Sequence, residues 1–151
     1  MIKPCANNII NITHTCTFTF QNAPSSPKKV EIMQPKIIKA NAPYEYLTPE
    51  RCSIAENYSC KDVSIARATV KPDVTTVPHH LIGVQEIYII TSGHGKVTVG
   101  DLEPTDVSVG DVVVIPSMTS QKIANTGSVD LVFYCVCTPR FTQECYVSES
   151  E

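Results

Sequence analysis

Residues 79–93 read HHLIGVQEIYIITSG, and residues 110–125 read GDVVVIPSMTSQKIAN. In the first stretch Glu86, Tyr88 and Ile90 alternate with Ile87 and Ile89. A period of two places alternate residues on one face of a strand. In the second, Gln121 and Ile123 share a face in the same way. A carboxylate set in an apolar run such as EIYIIT is costly to bury unless it is paired, hydrogen-bonded or bound to metal. Glu86 is therefore a site signal, the alternative being an outward, solvated glutamate. Between the two stretches GHGKVTVGD reads as a short hairpin.

Working outward, everything from residue 61 reads as strand. KDVSIARATV sets Val63, Ile65, Arg67 and Thr69 on one face, and Ser64, Ala66, Ala68 and Val70 on the other. EIYIIT, GKVTVG, DVSVG, DVVVIP, QKIANTG and DLVFYCVC follow, separated by glycine, proline or aspartate turns. Short strands in that rhythm predict an all-β sandwich or closed barrel. Closure of such strands removes exposed edges and leaves a lumen for one small ligand. No helix-length periodicity is present. Thr48-Pro49-Glu50-Arg51 has a cap and a proline suited to a helix start, but no apolar helical face follows, so one turn is expected.

The first 40 residues differ. Thr15–Phe20 alternates like a strand, NAPSSPKK is turn material, and residues 29–40 read as strand broken by Pro35, which favours an edge. Residues 1–40 are thus an N-terminal arm, pairing with a sheet edge or lying as a loosely ordered tail, and residues 41–151 are the barrel.

The chain has 151 residues, of which 42% are hydrophobic, with a net charge of −3. That suits one globular domain with a real core. No basic stripe exists, which argues against nucleic acid as the main partner. No apolar run is long enough to cross a membrane, and the start lacks a basic-then-apolar leader. The expectation is a cytoplasmic protein whose seven cysteines are thiols, since an odd count without a secretion signal weakens a disulfide framework. Cys135 and Cys137 then share a strand face as small buried hydrophobes. Asn11-Ile12-Thr13 and Asn57-Tyr58-Ser59 match the glycosylation pattern by chance in such a chain. GHGKVTVG lacks the ending and the helix of a phosphate loop, no hydrolase triad pattern is present, and Cys52 and Cys60 have no evident histidine partner.

The two opening stretches resemble the two motifs of the cupin superfamily, over roughly residues 61–138. Of the first motif, His79, Glu86 and Gly93 are kept; Asp73 stands where the leading glycine belongs, and Leu81 where a second histidine would be. Of the second, Gly110, Pro116 and Asn125 are kept; Met118 replaces a glycine, and Gln121 stands at the last histidine position. The resemblance implies a cupin double-stranded β-helix, a jelly-roll barrel, with an N-terminal arm. It also implies a homodimer through strand addition or sheet packing, with which the apolar strand DLVFYCVC is compatible.

In such a barrel Glu86, Tyr88 and Gln121 point into the lumen. The motif selects His79 rather than His80, which would face the opposite way on a strand. The resemblance implies catalytic roles for His79, Glu86 and Tyr88. It also implies a divalent ion, iron, manganese, zinc or nickel, on His79, Glu86 and Gln121. One imidazole, one carboxylate and one amide form a poorer donor set than the usual one, and a metal-free polar cluster is the alternative. Gln121 and Arg67 are the ligand-binding candidates. Arg67, if inward, would clamp a carboxylate or phosphate; otherwise it faces out or partners Glu86. Arg140 belongs to the barrel mouth or a subunit contact. His94 is expected solvated at a hairpin tip, and His14 lies in the arm.

Two functions follow from the resemblance. One is an isomerase- or epimerase-type enzyme moving a proton on a small polar metabolite: a sugar, sugar phosphate or carboxylate. The other is a non-catalytic ligand-binding or sensing module.

Overall fold

A computed structural model describes residues 34–41 and 43–149. The strand expected at Thr15–Phe20, the asparagine at position 11, His14, Cys5 and Cys16 lie outside the described residues. Lys36–Glu151 forms one compact unit. Of the strand material expected over residues 29–40, the described part is irregular. Pro35 has no N–H to give to a ladder, and Lys36 instead sets its Nζ over the Tyr58 ring, 4.5 Å from the centroid.

The unit is built from two antiparallel sheets. The first holds β1 (Glu45–Leu47), β2 (Ser53–Ser59), β3 (Ser64–Val70), β5 (Gln85–Ser92), β8 (Val112–Ile115) and β10 (Leu131–Thr138), in the order β1-β2-β3-β10-β5-β8. The second holds β4 (His79–Leu81), β6 (His94–Val99), β7 (Thr105–Ser108), β9 (Gln121–Asn125) and β11 (Tyr146–Ser148), in the order β11-β4-β9-β6-β7. The residues before β2 make a single turn, closed by Arg51 N–H donating to Thr48 O at 3.1 Å.

The chain changes sheets at Gly93, so the expected hairpin tip is misplaced. His94 opens β6 at this crossing, exposed, with its ring against Gly127. The true hairpin joins β6 to β7 around Gly100. The strand DLVFYCVC is β10, flanked by β3 and β5 inside the sheet, so it offers no edge for strand addition.

Alternation decides what each strand buries. Along β5, Glu86, Tyr88 and Ile90 are buried while Gln85 and Ile89 are exposed. Along β9, Gln121, Ile123 and Asn125 are buried. The main core packs Val70, Ile90, Ile115, Ile123, Leu131 and Phe133 between the sheets, each aliphatic side chain stabilising the fold by about 1.5–3 kcal/mol. A second, smaller cluster joins Leu81, Val84, Cys137 and Cys145, with Tyr146 packed on it. It anchors β11 to the rest of the barrel.

Two departures from the cupin pattern keep its backbone. Asp73 and Met118 stand where glycines belong, and both adopt positive φ, 61° and 66°. Asn125 closes the second motif. Its Nδ2 donates to Val70 O (2.9 Å) and Val129 O (2.8 Å), and its Oδ1 accepts from Gly127 N–H (2.9 Å). Asn125→Ala leaves these backbone groups without partners and is expected to cost about 2 kcal/mol, read by urea denaturation.

Candidate functional site: a cavity with an acid–base cluster

Ala66 and Ala68 are the inward residues of β3, and their small side chains leave room. The space is a cavity of about 450 Å³, bounded by strands of the first sheet and by β4 and β11 of the second. His79, Glu86 and Tyr88 all line it, so the three expected catalytic residues are brought together.

Glu86 is 7% exposed. Its Oε2 accepts from Gln121 Nε2 at 2.6 Å, and its Oε1 lies 3.7 Å from Cys137 Sγ, which donates. Cys135 is a further hydrogen-bonding partner. Burial pushes the Glu86 carboxyl up from its usual range, opposed by the Gln121 hydrogen bond and by His79. The inward reading of Glu86 therefore holds. In turn, burial and the neighbouring carboxylate raise the Cys135 and Cys137 thiols, which stay protonated donors.

His79 is buried and sits opposite Gln121 in the β4–β9 register. Its Nδ1 lies 3.0 Å from Val77 O. A carbonyl only accepts, so Nδ1 carries the hydrogen, and Nε2 of the neutral ring keeps its lone pair. His80 points away, its Nδ1 2.6 Å from Glu149 Oε1. Ser120 Oγ donates to the other oxygen of Glu149, also at 2.6 Å. Tyr88 packs its ring on Phe133, centroids 4.5 Å apart, and burial holds its hydroxyl protonated, well above the usual range.

Two cluster members were not anticipated. Glu50, half-buried in the turn before β2, has its carboxyl raised, first by burial; Glu86 adds to the rise while His79 opposes it. Val77 N–H donates to Glu50 O at 3.2 Å, so one residue positions both Glu50 and, through its carbonyl, His79. Tyr146 of β11 lays its ring against His79, centroids 5.0 Å apart, and its hydroxyl bonds the Glu50 carboxylate. Burial pushes that hydroxyl up to about 12.

Two expected ligand contacts are placed elsewhere. Arg67 belongs to the outer face of β3. It pairs with Glu45 Oε2 at 3.0 Å and donates to Ala40 O at 3.3 Å, and it does not line the cavity. The inner face of β3 is the alanine face. Gln121 also does not line the cavity; it supports Glu86 from behind.

The expected metal set does not fit an ion. Gln121 turns its amide nitrogen, a donor without a lone pair for a cation, to Glu86. Among the described residues, no group of three histidine, cysteine, aspartate or glutamate side chains is placed to hold a metal ion.

Two antiparallel sheets enclosing a small-molecule cavity define a double-stranded β-helix barrel. Residues 66–137 match the family model of the cupin domain, which together with the fold supports the cupin superfamily. An uncharacterized protein of Methanocaldococcus jannaschii is 37% identical over 81 residues, 54% of this chain and 64% of that protein's length. Among solved structures, an uncharacterized Klebsiella pneumoniae protein with a double-stranded β-helix domain superposes with a TM-score of 0.65 at 14% identity, covering 78% of this chain and 100% of the other. A predicted oxalate decarboxylase of Thermotoga maritima gives 0.63 at 23% identity, covering 69% and 99%. Among the described residues, no helix is long and apolar enough to cross a membrane.

Proposed function

We propose that this cupin binds a small molecule in the cavity and transfers protons on it, as an isomerase- or epimerase-type enzyme. One observation carries the reading: two carboxyls raised by burial, Glu50 and Glu86, interact with a single buried imidazole in one cavity. A carboxyl raised above its ordinary range serves as a general acid or base, and His79 Nε2 as its counterpart. One group takes the proton from a carbon next to a carbonyl, and the other returns a proton to the neighbouring atom or the opposite face. The Tyr88 hydroxyl, held protonated by burial, is a donor suited to the oxygen that gains charge. These steps are assigned to side chains alone.

Oxalate-type chemistry, suggested by the name of the Thermotoga neighbour, finds less support, because among the described residues no lysine or arginine lines this cavity to meet a dianion. A cytoplasmic setting accords with free thiols at Cys52, Cys60, Cys135, Cys137 and Cys145. Self-association accords with the exposed outer face of β5 and β8, where Ile89, Val112 and Val114 stand together.

The second reading is a binding module. It is favoured by the part of Glu86 already satisfied by Gln121 and Cys137. Incubation of wild-type protein with small carbonyl compounds in deuterium oxide separates the two. The enzyme reading expects carbon-bound hydrogen to exchange for deuterium by NMR, in a compound that also raises the melting temperature. Binding without exchange in any compound leaves the module.

A further inference from the structure

The cavity's charge and aromatic content bear on what it takes. Among the described residues, three carboxylates line it, Glu50, Glu56 and Glu86, together with the His79 imidazole, and neither lysine nor arginine does. The nearby cations are spent elsewhere: Arg67 pairs with Glu45, and Lys36 lies over Tyr58 without lining the cavity. Six aromatic side chains among the described residues share the wall: Tyr46, Tyr58, Tyr88, Phe133, Phe141 and Tyr146.

Aromatic faces and carboxylates attract the same sign of charge. A ring presents its negative quadrupole face to a cation within about 6 Å, and a half-buried carboxylate attracts it more strongly than one in water. An anion meets the reverse: carboxylates of its own sign and, among the described residues, no guanidinium or ammonium on the wall to receive it. The remaining wall is apolar, with Ile54, Ala66, Ala68 and Leu81, so the charged head of a ligand has a hydrocarbon body to accompany it.

We propose that the cavity takes an organic cation, a small amine or quaternary ammonium with an apolar or aromatic body, its charged nitrogen between Glu50, Glu86 and the Tyr146 ring. This rests on the cavity reading above and replaces the sugar phosphates and carboxylates expected from the sequence. A substrate of this class with a carbonyl near its nitrogen, an amino ketone or amino aldehyde, presents an acidic C–H to the same acid–base cluster.

Calorimetry with a matched pair tests the charge class. Wild-type protein is titrated with 2-phenylethylamine, its carboxylate counterpart 3-phenylpropionate, and tetramethylammonium. The amine is expected to bind at least tenfold more tightly than the carboxylate. Glu50→Gln is expected to lose most of that preference by weakening the amine alone. Glu86→Gln does the same from the deeper position, and Tyr146→Leu weakens both cations severalfold while sparing the carboxylate. Equal or tighter binding of 3-phenylpropionate overturns the inference, as does failure of both cations to bind wild-type protein. Deuterium exchange on a carbonyl compound together with carboxylate preference overturns only the charge class. Cation preference without exchange overturns only the catalysis.

Discussion

Gly93→Val is expected to leave the protein largely unfolded, while Gly110→Val leaves a folded, weakened barrel. Both glycines have positive φ, 75° and 97°, which β-branched residues resist. That conformational cost alone is about 1–3 kcal/mol. At Gly110 nothing lies within 4 Å of an added Cβ, so the cost ends there. At Gly93 an added Cβ would lie 2.7 Å from Asp130 O and 3.0 Å from Leu131 Cα, and both contacts are backbone of the neighbouring chain segment. Gly93 is where the chain leaves the first sheet for the second, so the backbone has little freedom to yield. Strain plus collision should reach on the order of 4 kcal/mol or more, a large part of the 5–15 kcal/mol that holds a domain of this kind. Circular dichroism during urea denaturation of both variants measures it. Equal losses at the two positions would show that the close approach to Asp130 does not matter.

Glu86→Gln is expected to lower proton-transfer turnover by roughly 10²–10⁴-fold while leaving the fold intact. A glutamine there still accepts from Gln121 through its amide oxygen but carries no proton to exchange. The same variant reports on the carboxyl in the native state. Burial raises Glu86 above 4.5, its ordinary value, so the native state holds its proton more firmly than the unfolded chain does. The stability this contributes is fully present below the unfolded value and is lost as pH rises through the raised native value. Glu50 is shifted the same way. The melting temperature of Glu86→Gln relative to wild type should therefore climb as pH rises above 4.5. A flat difference would show that the buried carboxyl titrates as it does in the unfolded chain, and the acid assignment would fall with it.

The β pattern between residues 61 and 138 was legible because most of its strands bury one face only. β5 and β9 show it best: every second residue is apolar or site-forming, and the structure buries those residues. The same rule separated His79 from His80. β2 was not read as a strand from the sequence; its register shifts between Glu56 and Tyr58, and a bulge breaks the period on which such a reading depends. The rule was ambiguous on β3. Ile65 and Arg67 on one face carried as much apolar character as Ala66 and Ala68 on the other, and the small residues proved inward because they make space rather than fill it. Glu50 and Tyr146 could not be found by periodicity at all. One lies in a turn and the other on a three-residue strand, and only tertiary contacts, Val77 for Glu50 and His79 for Tyr146, bring them to the cluster.

The attachment of β11 has a consequence for how selectivity can vary. Among the described residues this strand pairs only with the short β4 and is tied at its end by Glu149 to His80 and Ser120, yet it delivers the tyrosine that covers His79. The frame of the barrel is therefore separable from one wall of the chamber. A few substitutions near the C-terminal end can reshape what the protein admits while the two sheets, and the buried carboxyl between them, stay as they are.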